Sequence, residues 1–201
     1  MVNPSSTLAC PDHTAGSQPG AETAGSAYLR GGPEFRQLCE RYGIPYYHIG
    51  DDNFGILHII GPELGITLPG VTLVCGDSHT CTHGGLGALA WGIGSTELVH
   101  VLATQTLMQR KPKVKRIRFE GQPGPGVTSK DMILHAIGRE GTRAGDGFAI
   151  EYAGSAIESM DIEGRMTICN LSIEMGSKIG MTAPDEKTFN YLRGRKHAPK
   201  D

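Results

Sequence analysis

Apolar and β-branched residues cluster at Val71-Thr72-Leu73-Val74-Cys75, stop at Gly76, and give way at once to Asp77, Ser78 and His79. That pattern predicts a short buried strand ending in a polar loop, with glycines at 84, 85 and 87. The glycines are expected to let backbone N–H groups approach a ligand, and a helix starting nearby would favour an anion. In open α/β sheets, ligands bind just past the carboxyl ends of strands. The stretch therefore places a titratable cluster where a carboxylate or phosphate could sit.

Other segments follow the same two periods. Thr7–Cys10 reads as a short strand, and Pro11-Asp12-His13 puts an acid–imidazole pair at its end. Residues 14–32 are rich in Gly, Ala, Ser, Thr and Pro and read as a loop. Phe35, Leu38 and Cys39 lie at helical spacing before Gly43, and Ile44–Ile49 is a strand candidate. His58 sits inside the apolar run Gly55–Pro62, which by itself suggests a core residue. Ser95 caps a predicted helix reaching about Arg110, with Glu97 in its first turn. Val114–Glu120 and Gly147–Tyr152 predict strands. Thr128-Ser129-Lys130-Asp131 has capping-box form ahead of the apolar face Met132, Ile133, Ala136 and Ile137, with a stop at Gly138. A helix over Arg165–Met175 would put Asn170 and Glu174 on one face. Residues 181–201 read as polar and irregular. Alternating strands and helices predict an α/β fold, and Lys111-Pro112-Lys113 suggests a boundary between subdomains 1–112 and 113–201.

Composition narrows the function classes. A formal charge of −2 over 201 residues gives no reason to expect nucleic acid or an anionic membrane as partner. The basic run Lys111–Arg116 reads as a solvated turn and edge strand, and no apolar run approaches the ~20 residues of a membrane span. No signal peptide is visible, and a cytoplasmic location, or an organellar matrix, is expected. Five cysteines, at 10, 39, 75, 81 and 169, lack any Cys-x-x-Cys spacing and predict neither a disulfide framework nor a zinc knuckle.

The Asp77-Ser78-His79 cluster has several plain readings. It could be a polar turn capping a strand. His79 and His83, four apart, would form a metal pair on a helix, which the glycines argue against. Three consecutive residues cannot form a Ser-His-Asp relay among themselves.

Longer motifs add a resemblance. Gly55–Glu63, Cys75–Gly84, His100–Leu107 and Glu163–Asn170 together resemble the large subunits of 3-isopropylmalate dehydratases, of the aconitase superfamily, nearly unbroken from about Gly55 to Pro199. Thr7–His13 is similar to an earlier family motif. The resemblance implies a three-layer α/β/α fold and a hydro-lyase that moves a hydroxyl between adjacent carbons of a small dicarboxylate. It implies that Asp12 and His13 help the hydroxyl leave, that His58 pairs with Asp77, and that His79 pairs with Glu174. Ser78, Thr80, His83 and Asn170 are then expected to touch substrate. A carboxylate against an imidazole fixes its tautomer and favours its charged form, which suits proton transfer near neutrality.

The departures matter equally. Family members are roughly twice this length or more, and bind a [4Fe–4S] cluster through a Cys-Thr-Asn type motif and a later Cys-x-x-Cys. Neither motif occurs here. No cluster is expected on this chain alone, only one completed by another chain. The leading expectation is a cluster-free lyase or isomerase working by His–acid pairs on a small hydroxy-acid or carbonyl substrate. The alternatives are one part of a split 3-isopropylmalate dehydratase and a non-catalytic binding module or relic. A homo-oligomer is expected to cover the face left by the shortened fold, with a small-subunit-like partner as a further expectation.

Overall fold

A computed structural model of the chain describes residues 3–11, 32–48 and 50–200. Asp12, His13 and the segment through Gly31 lie outside them. The chain divides into two compact units, one of residues 1–60 and 99–107, the other of residues 61–98 and 108–201. The expected subdomain boundary at 112 falls inside the second unit.

In the first unit, α1 (Gly32–Tyr42) is the predicted helix, with Cys39 buried and Gly43 in the left-handed region at its end. Among the described residues, Thr7–Cys10 and the described part of the expected second strand, 44–48, do not form full strands. They meet through a single parallel bridge, Ala9 with Tyr46, and Phe35 packs edge-on against Tyr46 at 5.5 Å. His58 is the second residue of α2 (Leu57–Glu63) and is 5% exposed.

The second unit is α/β, and all its strand pairs are parallel. β1 (Thr72–Cys75) pairs with β2 (Leu89–Gly92) in the register Thr72 to Leu89. A three-stranded sheet runs β3 (Lys113–Arg118), β4 (Phe148–Ala153), β5 (Ile179–Thr182). β1 was expected to be buried, yet Leu73, Val74 and Cys75 are only half-buried, since its sheet has two strands among the described residues. α3 (Ser95–Thr104) stops six residues short of the expected Arg110, where Gln105 takes φ +57°.

α4 (Ser129–Glu140) has the predicted capping box, closed reciprocally by Thr128 and Asp131, and passes through Gly138 to end at Gly141. Ile133 and Ala136 of α4 pack with Ile150 and Tyr152 of β4, Ile157 of α5 (Ser155–Ser159) and Ile168 and Cys169 of α6 (Ile162–Asn170). Mixed apolar faces of this kind supply most of the driving force for folding. The helix expected over Arg165–Met175 is broken: α6 ends at Asn170, and a separate 3-10 turn covers Ile173–Met175. The tail expected to be irregular holds β5 and α7 (Glu186–Leu192), whose capping box is built on Asp185 and Thr188. No helix among the described residues is long and apolar enough to cross a membrane.

The Asp77 loop departs most from expectation. Residues Ser78–Leu86 are 3-10 helix with a kink at His79, and this short piece carries the crossover between β1 and β2. Its glycines are buried by packing. A Cβ on Gly84 would overlap the carbonyl oxygen of Gly180 on β5, and one on Gly85 would lie 2.7 Å from the Met166 nitrogen on α6. These residues are glycine because two backbones touch there, so the expected approach to a ligand at this point gives way to core packing.

Candidate active site

The site is built at the carboxyl end of β1, all within the second unit. Asp77 caps the 3-10 helix: its Oδ1 accepts from the His79 backbone N–H at 2.7 Å, and its backbone oxygen accepts from the Thr80 hydroxyl at 2.6 Å. The cap fixes where the helix starts and so where Ser78 and His79 stand. His79 Nδ1 lies 3.1 Å from Ser78 Oγ and 3.9 Å from Asp77 Oδ1. His79 Nε2 lies 3.3 Å from Glu174 Oε1. The carboxylate arrives from the 3-10 turn after α6, 95 residues along the chain. Both nitrogens of a part-exposed imidazole are thus engaged, and the ring orientation is fixed.

A clamp behind the imidazole holds its backbone. Asn170 Nδ2 donates to Thr82 Oγ1 at 2.8 Å, and Thr82 Oγ1 donates to the His79 carbonyl at 2.6 Å. Asn170, expected to touch substrate, reaches the site through Thr82, a residue that sequence reasoning missed. Thr82 carries its signal only in being a hydroxyl within helical reach of His79.

Thr80 and His83 face inward. Thr80 is fully buried, and His83 is 1% exposed with Nδ1 2.6 Å from Thr67 Oγ1. His58 belongs to the first unit and Asp77 to the second. Asp12 and His13 lie outside the described residues.

A cavity of about 230 Å³ opens beside the cluster, lined by Ser78, Gly92, Ile93, Ile173 and Lys178. Ser78 belongs to both the cavity and the imidazole cluster. Ile93, Ile173 and Lys178 were also missed by sequence reasoning; β2 is four residues long, too short for its alternation to stand out, and Lys178 lies between the helix expected over Arg165–Met175 and the tail expected from 181.

The cysteines do not fit an iron–sulfur cluster. Such a cluster needs converging thiolates. Burial pushes the Cys81 thiol up to about 12, and it donates to the Asn170 carbonyl at 3.4 Å. Burial also holds the Cys169 thiol well above its ordinary range. No group of three or more His, Cys, Asp or Glu among the described residues is placed to hold a metal ion.

Comparison with known proteins agrees with the fold and the motifs. The aconitase family (aconitate hydratase) profile matches residues 5–201. The 3-isopropylmalate dehydratase large subunit 1 of Bradyrhizobium diazoefficiens is 56% identical over 200 residues, which is 98% of this chain and 41% of that relative. The 3-isopropylmalate dehydratase large subunit of Bacillus thuringiensis is 57% identical over 166 residues, 83% of this chain and 36% of the relative. The chain thus spans about two fifths of the length of these relatives.

Proposed function

The chain belongs to the aconitase family, and on that premise we propose that it carries the acid–base part of a hydro-lyase site for a small hydroxy-acid. The observation that carries the proposal is the run of contacts from cavity to carboxylate: Ser78 Oγ to His79 Nδ1 at 3.1 Å, then His79 Nε2 to Glu174 Oε1 at 3.3 Å. Glu174 accepts from Nε2–H, which leaves Nδ1 to accept the Ser78 proton. A proton lost by substrate in the cavity passes to Ser78 Oγ as the proton of Ser78 passes to His79 Nδ1. Glu174 then faces the imidazolium. Distances slightly beyond the ideal are ordinary before substrate tightens a site.

The size of the cavity supports a small substrate, since pockets for drug-sized ligands start at about 300 Å³. The relatives' names supply the proposed substrate, 3-isopropylmalate or a hydroxy-acid of its size, and their being large subunits supplies a small subunit as proposed partner. No step is routed through an iron–sulfur cluster, because the cysteines present do not fit one. A second reading has another chain completing the site, as one part of a split enzyme; its support is that this chain spans about two fifths of these relatives.

The test is proton exchange from deuterated water into 3-isopropylmalate, together with ultraviolet detection of the unsaturated acid. Ser78→Ala, His79→Asn and Glu174→Gln should each lower the rate, His79→Asn by about 10²–10⁴-fold. Full activity in all three variants overturns the relay. Absence of exchange by the unsubstituted chain, restored on adding a small subunit, selects the second reading.

A further inference from the structure

The cavity beside Ser78 has one charged residue on its wall, and the proton relay does not use it. Lys178 lines the cavity with Ser78, Gly92, Ile93 and Ile173, and its ammonium has no ion pair or hydrogen bond among the described residues. We propose that Lys178 is the carboxylate-reading residue of this cavity, holding one carboxylate of the substrate while the apolar part lies against Ile93 and Ile173.

The placement is built from the backbone upward. Lys178 immediately precedes β5, and the residue before it is anchored. Ser177 is fully buried, its Oγ 2.7 Å from the Phe148 carbonyl and 2.8 Å from that of Ile179. Two residues further back, the Gly145 N–H donates to the Met175 carbonyl at 2.8 Å. The lysine stem therefore leaves a fixed base, so less freedom is lost when its head engages a ligand. Three other basic side chains of this unit are committed elsewhere: Arg165 to Asp185, Lys187 to the Glu158 carbonyl, Arg195 to the Glu63 carbonyl. An ammonium is a point charge with three donors, which suits one carboxylate oxygen or a shared pair without demanding the planar match of a guanidinium. Ser78, on the same wall, then lies beside the carbon or hydroxyl next to that carboxylate. The wall has one cation and two isoleucines, so it recognises an acid with an apolar portion over a sugar or a nucleotide.

This inference rests on the proposed hydro-lyase reading for the identity of its ligand, and is read at equilibrium, without turnover. Isothermal titration of the 201-residue chain with malate, a small hydroxy-dicarboxylate, should give saturable binding that weakens as salt is raised. Lys178→Gln should weaken it roughly tenfold, and Lys178→Arg should recover most of the loss. Lys130→Gln, the same charge change on an exposed helix start, should leave the affinity within about twofold. Equal affinities for Lys178→Gln and the unsubstituted chain overturn the proposal, as does absence of saturable malate binding. Loss of affinity shared by Lys130→Gln also overturns it, by showing that net charge alone acts. Failure of the relay would appear as unchanged proton exchange in Ser78→Ala, a result separate from every titration above.

Discussion

Gly92 is the residue on which the position of the Asp77–His79 turn depends most directly. A Cβ there would overlap the carbonyl oxygen of Asp77 and sit 3.0 Å from the Ser78 Cα. Both neighbours are backbone, so no side chain can swing aside, and the turn must retreat from β2 by over half an ångström. The displaced carbonyl is the acceptor for the Thr80 hydroxyl, and the displaced carboxylate caps the helix through the His79 N–H. Gly92→Ala should therefore cost about 1–3 kcal/mol by overpacking. It should also shift His79 away from Glu174, and misplacement on the order of 1 Å can cost about 10²-fold in rate. Gly76→Ala is the control, because a Cβ there meets only Leu98 at 3.7 Å, an ordinary contact. Urea unfolding gives the stability term. Histidine ring chemical shifts give the site term without needing turnover. A Gly92→Ala protein with an unchanged urea midpoint and unchanged His79 ring shifts would refute the claim that β2 sets the turn.

Four further outcomes follow from buried groups and their partners. Hydrogen bonding to Arg165, 2.6 Å away, is the largest cause holding the Asp185 carboxyl below its ordinary range, so the stability it contributes is full above its unfolded value and lost as pH falls through its folded one. Asp185→Asn keeps a helix cap and removes the charge. It should cost about 1–2 kcal/mol at pH 7, discounted because the Asp185 side chain is 39% exposed, and should flatten the acid limb of stability against pH; an unchanged limb refutes the pairing. Iodoacetamide should leave Cys81 and Cys169 unmodified in the native protein while all five cysteines react in urea, as mass mapping would show. Raising pH from 9.0 toward about 12 should remove the stability contributed by the neutral Cys81 thiol, and rapid native alkylation of Cys81 would contradict its burial. Asn170→Ala should lower stability by about 1 kcal/mol through loss of the donor to Thr82, and a neutral result in urea would refute the clamp.

What could be read from the sequence was local chemistry with a strong signature. The α/β class, the capping box at Thr128 and the helix before Gly43 all depend on residues within a few positions of one another, and all are present. Length and composition could not reveal the reason for Gly84 and Gly85, since their neighbours Gly180 and Met166 come from about 80–100 positions later. The same glycines that seemed to forbid a helix after Ser78 are what allow one to lie against α6 and β5. β5 and α7 were hidden by short length and polar composition. Their burial comes from tertiary neighbours such as Ser172 and Arg165, which override weak local preference.

The Asp77 cap and the Asn170–Thr82 clamp together explain how the Ser78–His79 backbone is held. Each fixes the backbone of Ser78–His79 from a different direction, one from β1 and one from α6. Neither uses the imidazole ring or the Ser78 hydroxyl, which are left to the contacts they make with each other and with Glu174. Glu174 is the exception, because its carboxylate serves the imidazole directly from an exposed turn. A mobile exposed carboxylate is a weak anchor by itself. The turn that carries it is therefore tied down by Met175 in the core and by the Gly176 N–H donating to the Ile173 carbonyl at 2.9 Å. Rigidity in this site is thus supplied by backbone and core contacts rather than by the titratable side chains.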